Sequence, residues 1–399
     1  MTTTGAATPP PSGHGLALAE VTRRLNAWLQ IDLDALEANA RRLAAAVAPA
    51  EVIAVVKANA YGAGIEGVAP ALAAAGVPAF AVVWVEEGLA LRRILPHHRI
   101  LVLGHTHPEL AAEAVAANLT LSVDSLELAR AISCASAASE QPTPVHIHID
   151  SGLHRDGLAP SDALALAQAI AELPGIALEG LSTHMANADE LDDSFSSDQA
   201  AAFAQVCDAL TTAAYVHAAN SATALRRPGL RLSGVRIGLA MHGILPENTD
   251  LDGLRPILSV HARLARVSRI RAGEGVSYGL TWRASGPAEV GLVPVGYADG
   301  WKRALSRGGA VLVGGRPAPV IGRIMMDQFV VDVTGLKAAA ADEVVLLGPQ
   351  GDDRIDAWSV AETAGTIAWD ITASLTSRLA RVYHRGGIVE RVVRGSHAT

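Results

Sequence analysis

The chain has little cysteine. Cys134 and Cys207 are the only two among 399 residues. That excludes a disulfide framework, argues against a cysteine metal site and suits a reducing cytoplasm. Aromatics are few, at 4%. No apolar run is long enough to span a bilayer. Residues 1–15 lack the basic-then-apolar order of a secretory leader and, being rich in Thr, Pro and Gly, read as a frayed tail. Positive charge is in deficit, with a net charge of −8. This argues against nucleic-acid or membrane-surface partners and leaves room for a local basic pocket.

Half of the residues are hydrophobic, with alanine dominant, as in a helix-rich globular protein long enough for two domains. Short strand-like runs lie at 52–56, 80–85, 100–103, 119–123, 145–149, 178–181, 215–217 and 235–239. Helical stretches at 67–75, 86–94, 108–117, 125–134, 161–172 and 198–213 alternate with them. Such alternation predicts a parallel sheet covered by helices. Eight runs favour an α/β fold of the (β/α)8, TIM-like barrel type over an open sheet. Helical spacing also marks 16–29.

The rhythm changes near Leu245 and Pro246. Runs at 259–270, 289–295, 310–313, 319–321, 329–333 and 343–347, divided by turn residues, predict a mostly-β second domain. A last helix over 359–379 and a closing strand near 387–393 complete it. The expected division is a tail at 1–15, a barrel at 16–250 and a C-terminal β domain at 251–399. The stretch near 27–33 is open to joining the β domain.

In such a barrel, chemistry gathers at the carboxyl ends of the strands. Lys57 ends the run Val52-Ile53-Ala54-Val55-Val56. A lysine pressed into an apolar site loses hydration and basicity, which makes its amine a nucleophile toward an aldehyde such as pyridoxal phosphate (PLP); the alternative is a stem that snorkels to water. Asp150 and Arg155 follow the fifth run and His184 the sixth. His217, Asn220 and Ser221 follow the seventh, and Arg236 belongs to the eighth. Gly62, Gly64 and Gly67 fit G-x-G-x-x-G, with Glu86 and Glu87 about twenty residues on, in outline a dinucleotide fingerprint. Lys57 to Tyr61 stand where the first glycine should leave the strand, so the glycines read as a flexible loop.

The run Val-Val-Lys57-Ala-Asn-Ala-Tyr61-Gly resembles the PLP-lysine motif of alanine racemases. The likeness extends from about Trp28 to Arg385. It includes the opening segment 29–43, His217-Ala-Ala-Asn220-Ser221, Val235-Arg236-Ile-Gly238, Val276-Ser-Tyr278-Gly279, Gly296-Tyr297-Ala-Asp299-Gly300 and Gly322-Arg-Ile-Met-Met326-Asp327-Gln328, in the family's order. The resemblance implies a PLP barrel plus a β domain, a small amino-acid substrate, and a homodimer whose active sites are shared between subunits. It implies that Lys57 holds PLP and acts as base on the D-isomer. Tyr278 of the other subunit would act on the L-isomer. A free phenol ionises only near pH 10, so that role needs help, which the family supplies through His184, Arg236 and His217. Arg236 would face the ring nitrogen. Tyr61, Ser221 and the amides of Gly238 and Leu239 would hold the phosphate. Arg155 would meet the cofactor's phenolic oxygen and the substrate carboxylate, and the Met326 amide that carboxylate. Tyr297 and Asp299 would line the approach.

Three positions depart from the family pattern. His148 stands where many members have a carbamylated lysine that steadies the arginine matching Arg155, so His148 either points elsewhere or leaves that task to a bound anion. Trp369 replaces a tyrosine at the phosphate, and Met325 a common cysteine. Racemisation of alanine is the leading expectation. A racemase of serine or of broader range, a related barrel decarboxylase, and a non-catalytic PLP-binding paralogue are the alternatives.

Overall fold

The computed structural model describes residues 15–138, 141–192 and 194–395; the expected tail lies almost wholly outside them. Contacts divide the chain into two compact units. One comprises Ala35–Arg255. The other joins residues up to Asp34 to those from Pro256 onward.

The first strand, β1 (Ala27–Asp32), belongs to the second unit, and the next eight build the first. These are β2 (Glu51–Val55), β3 (Ala79–Val82), β4 (Arg99–Val102), β5 (Thr120–Val123), β6 (Thr143–His148), β7 (Ile176–Ser182), β8 (Tyr215–His217) and β9 (Gly234–Ile237). All are parallel, in the order β8-β7-β6-β5-β4-β3-β2-β9. Strands covered on both faces should be apolar throughout, and every residue of β3 is buried. Between β8 and β9 single bonds replace a ladder: the Ser233 amide donates to the Val216 carbonyl and the Arg236 amide to that of Ala219, both at 2.9 Å. The result is a nearly closed (β/α)8 barrel, and each of the eight apolar runs read in the sequence supplies one strand. Its helices start on local signals. Ser125 Oγ accepts from the Leu128 amide, and Asn220 Oδ1 from that of Thr223.

The second unit is mostly β. It holds β1, then β10 (Leu258–Arg263), β11 (Arg266–Ile270), a ribbon of β12 (Gly275–Val276) and β13 (Trp282–Arg283), and β14 (Ala288–Val293). β15 (Ala310–Val313), β16 (Arg316–Ile321), β17 (Phe329–Asp332), β18 (Glu343–Gln350), β19 (Asp353–Ile355), β20 (Ala380–Arg385) and β21 (Ile388–Val393) follow. The main sheet runs β11-β14-β17-β16-β15-β18-β10-β1-β20-β21.

Four expectations need correction. The helical spacing at 16–29 yields only the helix Leu18–Thr22, after which the chain enters β1. β1 pairs with β10 and β20, and Trp28, Leu29 and Ile31 are fully buried there, so sheet pairing overrides the local period. The same pairing puts 16–34 with the β unit rather than the barrel. The run 259–270 is two strands, because the chain turns at Leu264 and Ala265 and changes partners from β1 and β18 to β14. The helix expected over 359–379 stops at Gly365, whose φ of 69° is left-handed; Ala357–Ala364 and Ala368–Ala373 are separate helices, and β20 follows.

Candidate active site

Lys57 leaves β2 at the barrel mouth. The next four residues, Ala58, Asn59, Ala60 and Tyr61, have φ of 51°, 53°, 52° and 51°. They form one left-handed turn, a conformation costing roughly 1–2 kcal/mol per residue with a side chain, less for asparagine. Gly62 and Gly64, at φ 85° and 94°, return the chain to a right-handed helix, Ile65–Ala74. Gly62 and Gly64 of the apparent dinucleotide fingerprint therefore serve backbone geometry, and Gly67 lies within that helix. Glu87 Oε1 accepts from the Ala58 amide at 2.7 Å, and Asn59 Oδ1 from that of Ile65 at 2.9 Å.

The Lys57 amine is less basic than a free lysine, first through burial and then through Arg155; Glu87 and Asp156 oppose this. Tyr61 is buried, and burial, then Glu87, pushes its phenol up, so it is a neutral hydroxyl. A Cβ on Gly238 would sit 2.3 Å from Tyr61 Oη. The Gly238 amide donates to Ser221 Oγ at 3.3 Å. Tyr61, Ser221, Gly238 and Leu239 thus meet in one bay. His242 packs against Tyr61: its ring lies edge-on at 5.7 Å, and burial pulls its pKa down to about 4. Asn220 stands beside the bay as a helix cap, its Oδ1 engaged by Thr223.

Arg236 is buried at the end of β9. Nη1 donates to the Nδ1 and the carbonyl of His217 at 2.8 and 2.9 Å. Nη2 donates to the carbonyls of Thr183 and Ala218 at 2.7 and 3.0 Å and to His184 Nδ1 at 3.1 Å. An arginine has no acceptor, so both histidines must accept at Nδ1 and carry their proton on Nε2. Burial, then the Arg236 charge, holds His184 and His217 well below the usual imidazole range, which agrees with neutral rings. Burial brings Arg236 to about 10, still protonated at neutral pH. Its Nε–H makes no hydrogen bond to the described residues.

The chain of bonds continues past the expected residues. His217 Nε2 meets His146 Nδ1 at 2.9 Å, His146 Nε2 meets Glu179 Oε2 at 3.1 Å, and Glu179 Oε1 accepts from Arg99 at 2.8 Å. Each donor points toward Glu179, so every ring tautomer is set. Gly180 makes room for this: a Cβ there would lie 2.5 Å from the Tyr215 carbonyl oxygen and 2.7 Å from His146 Nε2.

Arg155 is exposed and donates through Nε to Asp156 Oδ1 at 3.1 Å. Asp156 also approaches His148 Nε2 at 3.5 Å, while His148 Nδ1 bonds Ser182 Oγ at 2.9 Å. The hydrogen bond from His148, aided by Arg155, holds the Asp156 carboxyl well below the usual range. A carboxylate of the chain itself therefore flanks Arg155, and His148 points toward it.

The β unit presents the other expected residues. Tyr278 is 72% exposed between β12 and β13. Its neighbours Ser277, Gly279 and Leu280 have φ of 62°, 74° and 46°, and Ser277 Oγ donates to the Arg323 carbonyl at 2.7 Å. A phenol held outward on strained backbone is a functional signal. The Tyr297 amide donates to the Met325 carbonyl and that of Ala298 to Met326, at 3.1 and 3.0 Å, which sets exposed Tyr297 beside exposed Met326. Asp299 is buried, accepts from the Gly296 amide at 2.8 Å and pairs with Arg378 at 3.2 Å. Trp369 packs edge-on against Trp358 at 5.5 Å.

Sequence reasoning missed Asp156, His146, Glu179 and the work of Glu87. Signals existed: Asp156 follows Arg155 directly, and His146 lies on the same face of β6 as His148. The donor set fits PLP. A weakly basic amine suits the aldehyde, hydroxyls and amides around a glycine-shaped bay suit the phosphate, and the Nε–H of Arg236, left without an acceptor among the described residues, suits a ring nitrogen.

Comparison with known proteins agrees. Profiles described as alanine racemase, N-terminal domain, and alanine racemase, C-terminal domain, match residues 31–246 and 257–383. An alanine racemase of Desulfosudis oleivorans is 38% identical over 380 residues, covering 90% of this chain and 97% of that protein. The alanine racemase structure from Streptomyces coelicolor A3(2) superposes with a TM-score of 0.86 at 36% identity, covering 91% and 99% of the two chains. That from Bartonella henselae, which has covalently bound pyridoxal phosphate, gives 0.82 at 31% identity, over 90% and 99%. On its fold, its donor set and these matches over both units, the chain belongs to the alanine racemase family.

Proposed function

We propose that this chain is a PLP-dependent alanine racemase in which Lys57 and Tyr278, the latter lent by a second copy, act on opposite faces of the substrate Cα. The carrying observation is Arg236, a buried cation with both Nη groups spent on protein acceptors and its Nε–H free of them, in the same barrel mouth as a lysine of lowered basicity. PLP supplies delocalisation of the electron pair left when the Cα–H bond breaks. Lys57 takes or returns a proton on one face, and its lowered basicity leaves more of the amine able to accept. His184, neutral and protonated on Nε2, offers a donor to the oxygen of Tyr278, which takes or returns a proton on the other. The exposure of Tyr278 suits insertion into a neighbouring copy. Arg236 can only donate, so the group it faces must accept. An acid at that position would suit a decarboxylase, and an arginine does not. Arg155, steadied by Asp156, and the Met326 amide lent with Tyr278 by the second copy orient the carboxylate. Relatives matched over most of the chain are named for alanine, which favours it over serine or a broader range. Two free cysteines fit a cytoplasmic protein, and among the described residues no helix is long and apolar enough to cross a membrane.

The purified protein should be yellow, and borohydride should fix the cofactor on Lys57. The chain has three lysines, Lys57, Lys302 and Lys337, so one peptide map decides; a label on either of the others defeats the reading. Tyr278→Phe should lower α-deuteron exchange from L-alanine by roughly 10²–10⁴ and affect D-alanine much less. Equal losses would count against Tyr278 as a base.

A further inference from the structure

Glu87 is the residue that fits neither the apparent dinucleotide fingerprint nor the proton-transfer machinery. Its carboxylate is fully engaged. Oε2 accepts from the amides of Val83 and Trp84 at 2.9 and 3.3 Å, and Oε1 from that of Ala58 at 2.7 Å. The two former bonds belong to the start of the helix Val85–Ile94, where a glutamate three residues in often reaches back to the amide before the helix. The third is of another kind. It crosses from the end of β3 to the end of β2 and holds the first residue of the left-handed turn, next to Lys57. Ala60, two residues on, donates back to the Val56 carbonyl at 2.9 Å. Lys57 is therefore bracketed by a bond before the turn and a carboxylate across it. A left-handed turn of non-glycine residues persists only where its surroundings over-determine it. Glu87 and Asn59 are side chains whose bonds do so.

We propose that Glu87 is a positioning residue: its carboxylate clamps the left-handed turn after Lys57 and so fixes the direction of the lysine amine and of the Tyr61 hydroxyl. The proposal rests on the reading of Lys57 as the cofactor lysine. The oxygens face donors on both sides, so a carboxylate is required. In Glu87→Gln one of them becomes an NH2 directed at a backbone N–H. The charge has a second effect. Four charged groups act on the Lys57 amine: Arg155 and Arg236 lower its basicity, Glu87 and Asp156 raise it.

The test uses the full chain, with and without PLP. Glu87→Gln should weaken PLP binding to the cofactor-free protein roughly 10–100-fold, the effect of losing a hydrogen bond to a charged group. The pH midpoint for acetylation of Lys57 by acetic anhydride, read by mass spectrometry without cofactor, should fall. Ala58→Gly should restore part of the binding in the Glu87→Gln background, because glycine adopts the left-handed conformation without strain. If Glu87→Gln alone does not fold, the double variant carries both measurements. Unchanged PLP affinity and an unmoved Lys57 midpoint would overturn the proposal. So would lost affinity that Ala58→Gly does not relieve, since Glu87 would then be only a helix cap. If PLP fails to attach to Lys57 in the unaltered protein, the functional reading falls, while hydrogen exchange at the Ala58 amide, expected to quicken in Glu87→Gln, still judges the clamp.

Discussion

The barrel should be acid-sensitive in a way that one residue makes measurable. His242 lies wholly inside the fold, its Nδ1 has no hydrogen-bond partner, and burial lowers its pKa from 6.5 to about 4. The folded chain keeps it neutral while the unfolded chain protonates it below about pH 6.5. Its contribution is therefore intact above that pH and is lost as pH falls toward 4. A gap of about 2.5 between folded and unfolded values corresponds to about 3 kcal/mol in full, and about 2.5 kcal/mol between pH 8 and pH 4.5. His242→Phe keeps a ring against Tyr61 and cannot take a proton. At pH 8 it should lie within about 1 kcal/mol of the parent, since it removes an unpaired polar atom and adds little bulk. At pH 4.5 it should be more stable than the parent by about 2.5 kcal/mol. Urea unfolding at the two pH values measures this. Hydrogen exchange of the β8 and β9 amides assigns the change to the barrel, because a chain of two units need not unfold in one step. His146, His184 and His217 titrate in both proteins and cancel in the difference. Two curves that stay parallel within about 0.5 kcal/mol would refute the reasoning.

Other outcomes follow from named contacts. Gly180→Ala should cost roughly 2–4 kcal/mol in urea unfolding, because its Cβ meets the Tyr215 backbone and the His146 ring. Gly229→Ala, which meets nothing within 4 Å, should be neutral or gain up to about 1 kcal/mol; equal effects would show that the His146 niche is not tight. Gly238→Ala should weaken PLP binding at least tenfold, roughly 1.4 kcal/mol, by displacing Tyr61 Oη, and unchanged binding in an absorbance titration would remove that bay from the phosphate. Asp156→Asn should raise KM for alanine roughly 3–10-fold with a smaller change in kcat, since it loses a charge-assisted contact to Arg155; an unaltered KM would mean that Asp156 does not orient Arg155.

The barrel was legible because strands buried on both faces leave uninterrupted apolar runs, and even the short Tyr215 run proved to be β8. The β unit was harder to read. β1 carries a helical period and becomes a strand only through partners more than 200 residues away, and β20 was hidden behind an expected helix that Gly365 ends. The site shows the same division. Lys57, His184, His217 and Arg236 stand at strand ends, where topology alone brings them together. Glu87, Asp156, His146 and Glu179 act on other residues through a few hydrogen bonds; beyond the adjacency of Asp156 to Arg155 and the shared face of His146 and His148, nothing in their local sequence distinguishes such a partner from an ordinary surface or core group. The left-handed turn at Ala58 to Tyr61 was unreadable for a related reason: only one of its four residues, Asn59, favours that conformation.

The position of β1 constrains how the molecule is made. It lies between β10 and β20, with Trp28 opposite Ala380. A ribosome must therefore add roughly 350 residues after β1 before its parallel neighbour exists, which at 5–20 residues per second takes roughly 20–70 s. Both edges of this apolar strand stay open until β10 is made, and one stays open until β20 follows, while all the barrel strands are translated in between. A nascent chain stalled before residue 380 should bind chaperones at its N-terminus, and the order of synthesis, rather than the strength of the finished sheet, sets when that hazard ends.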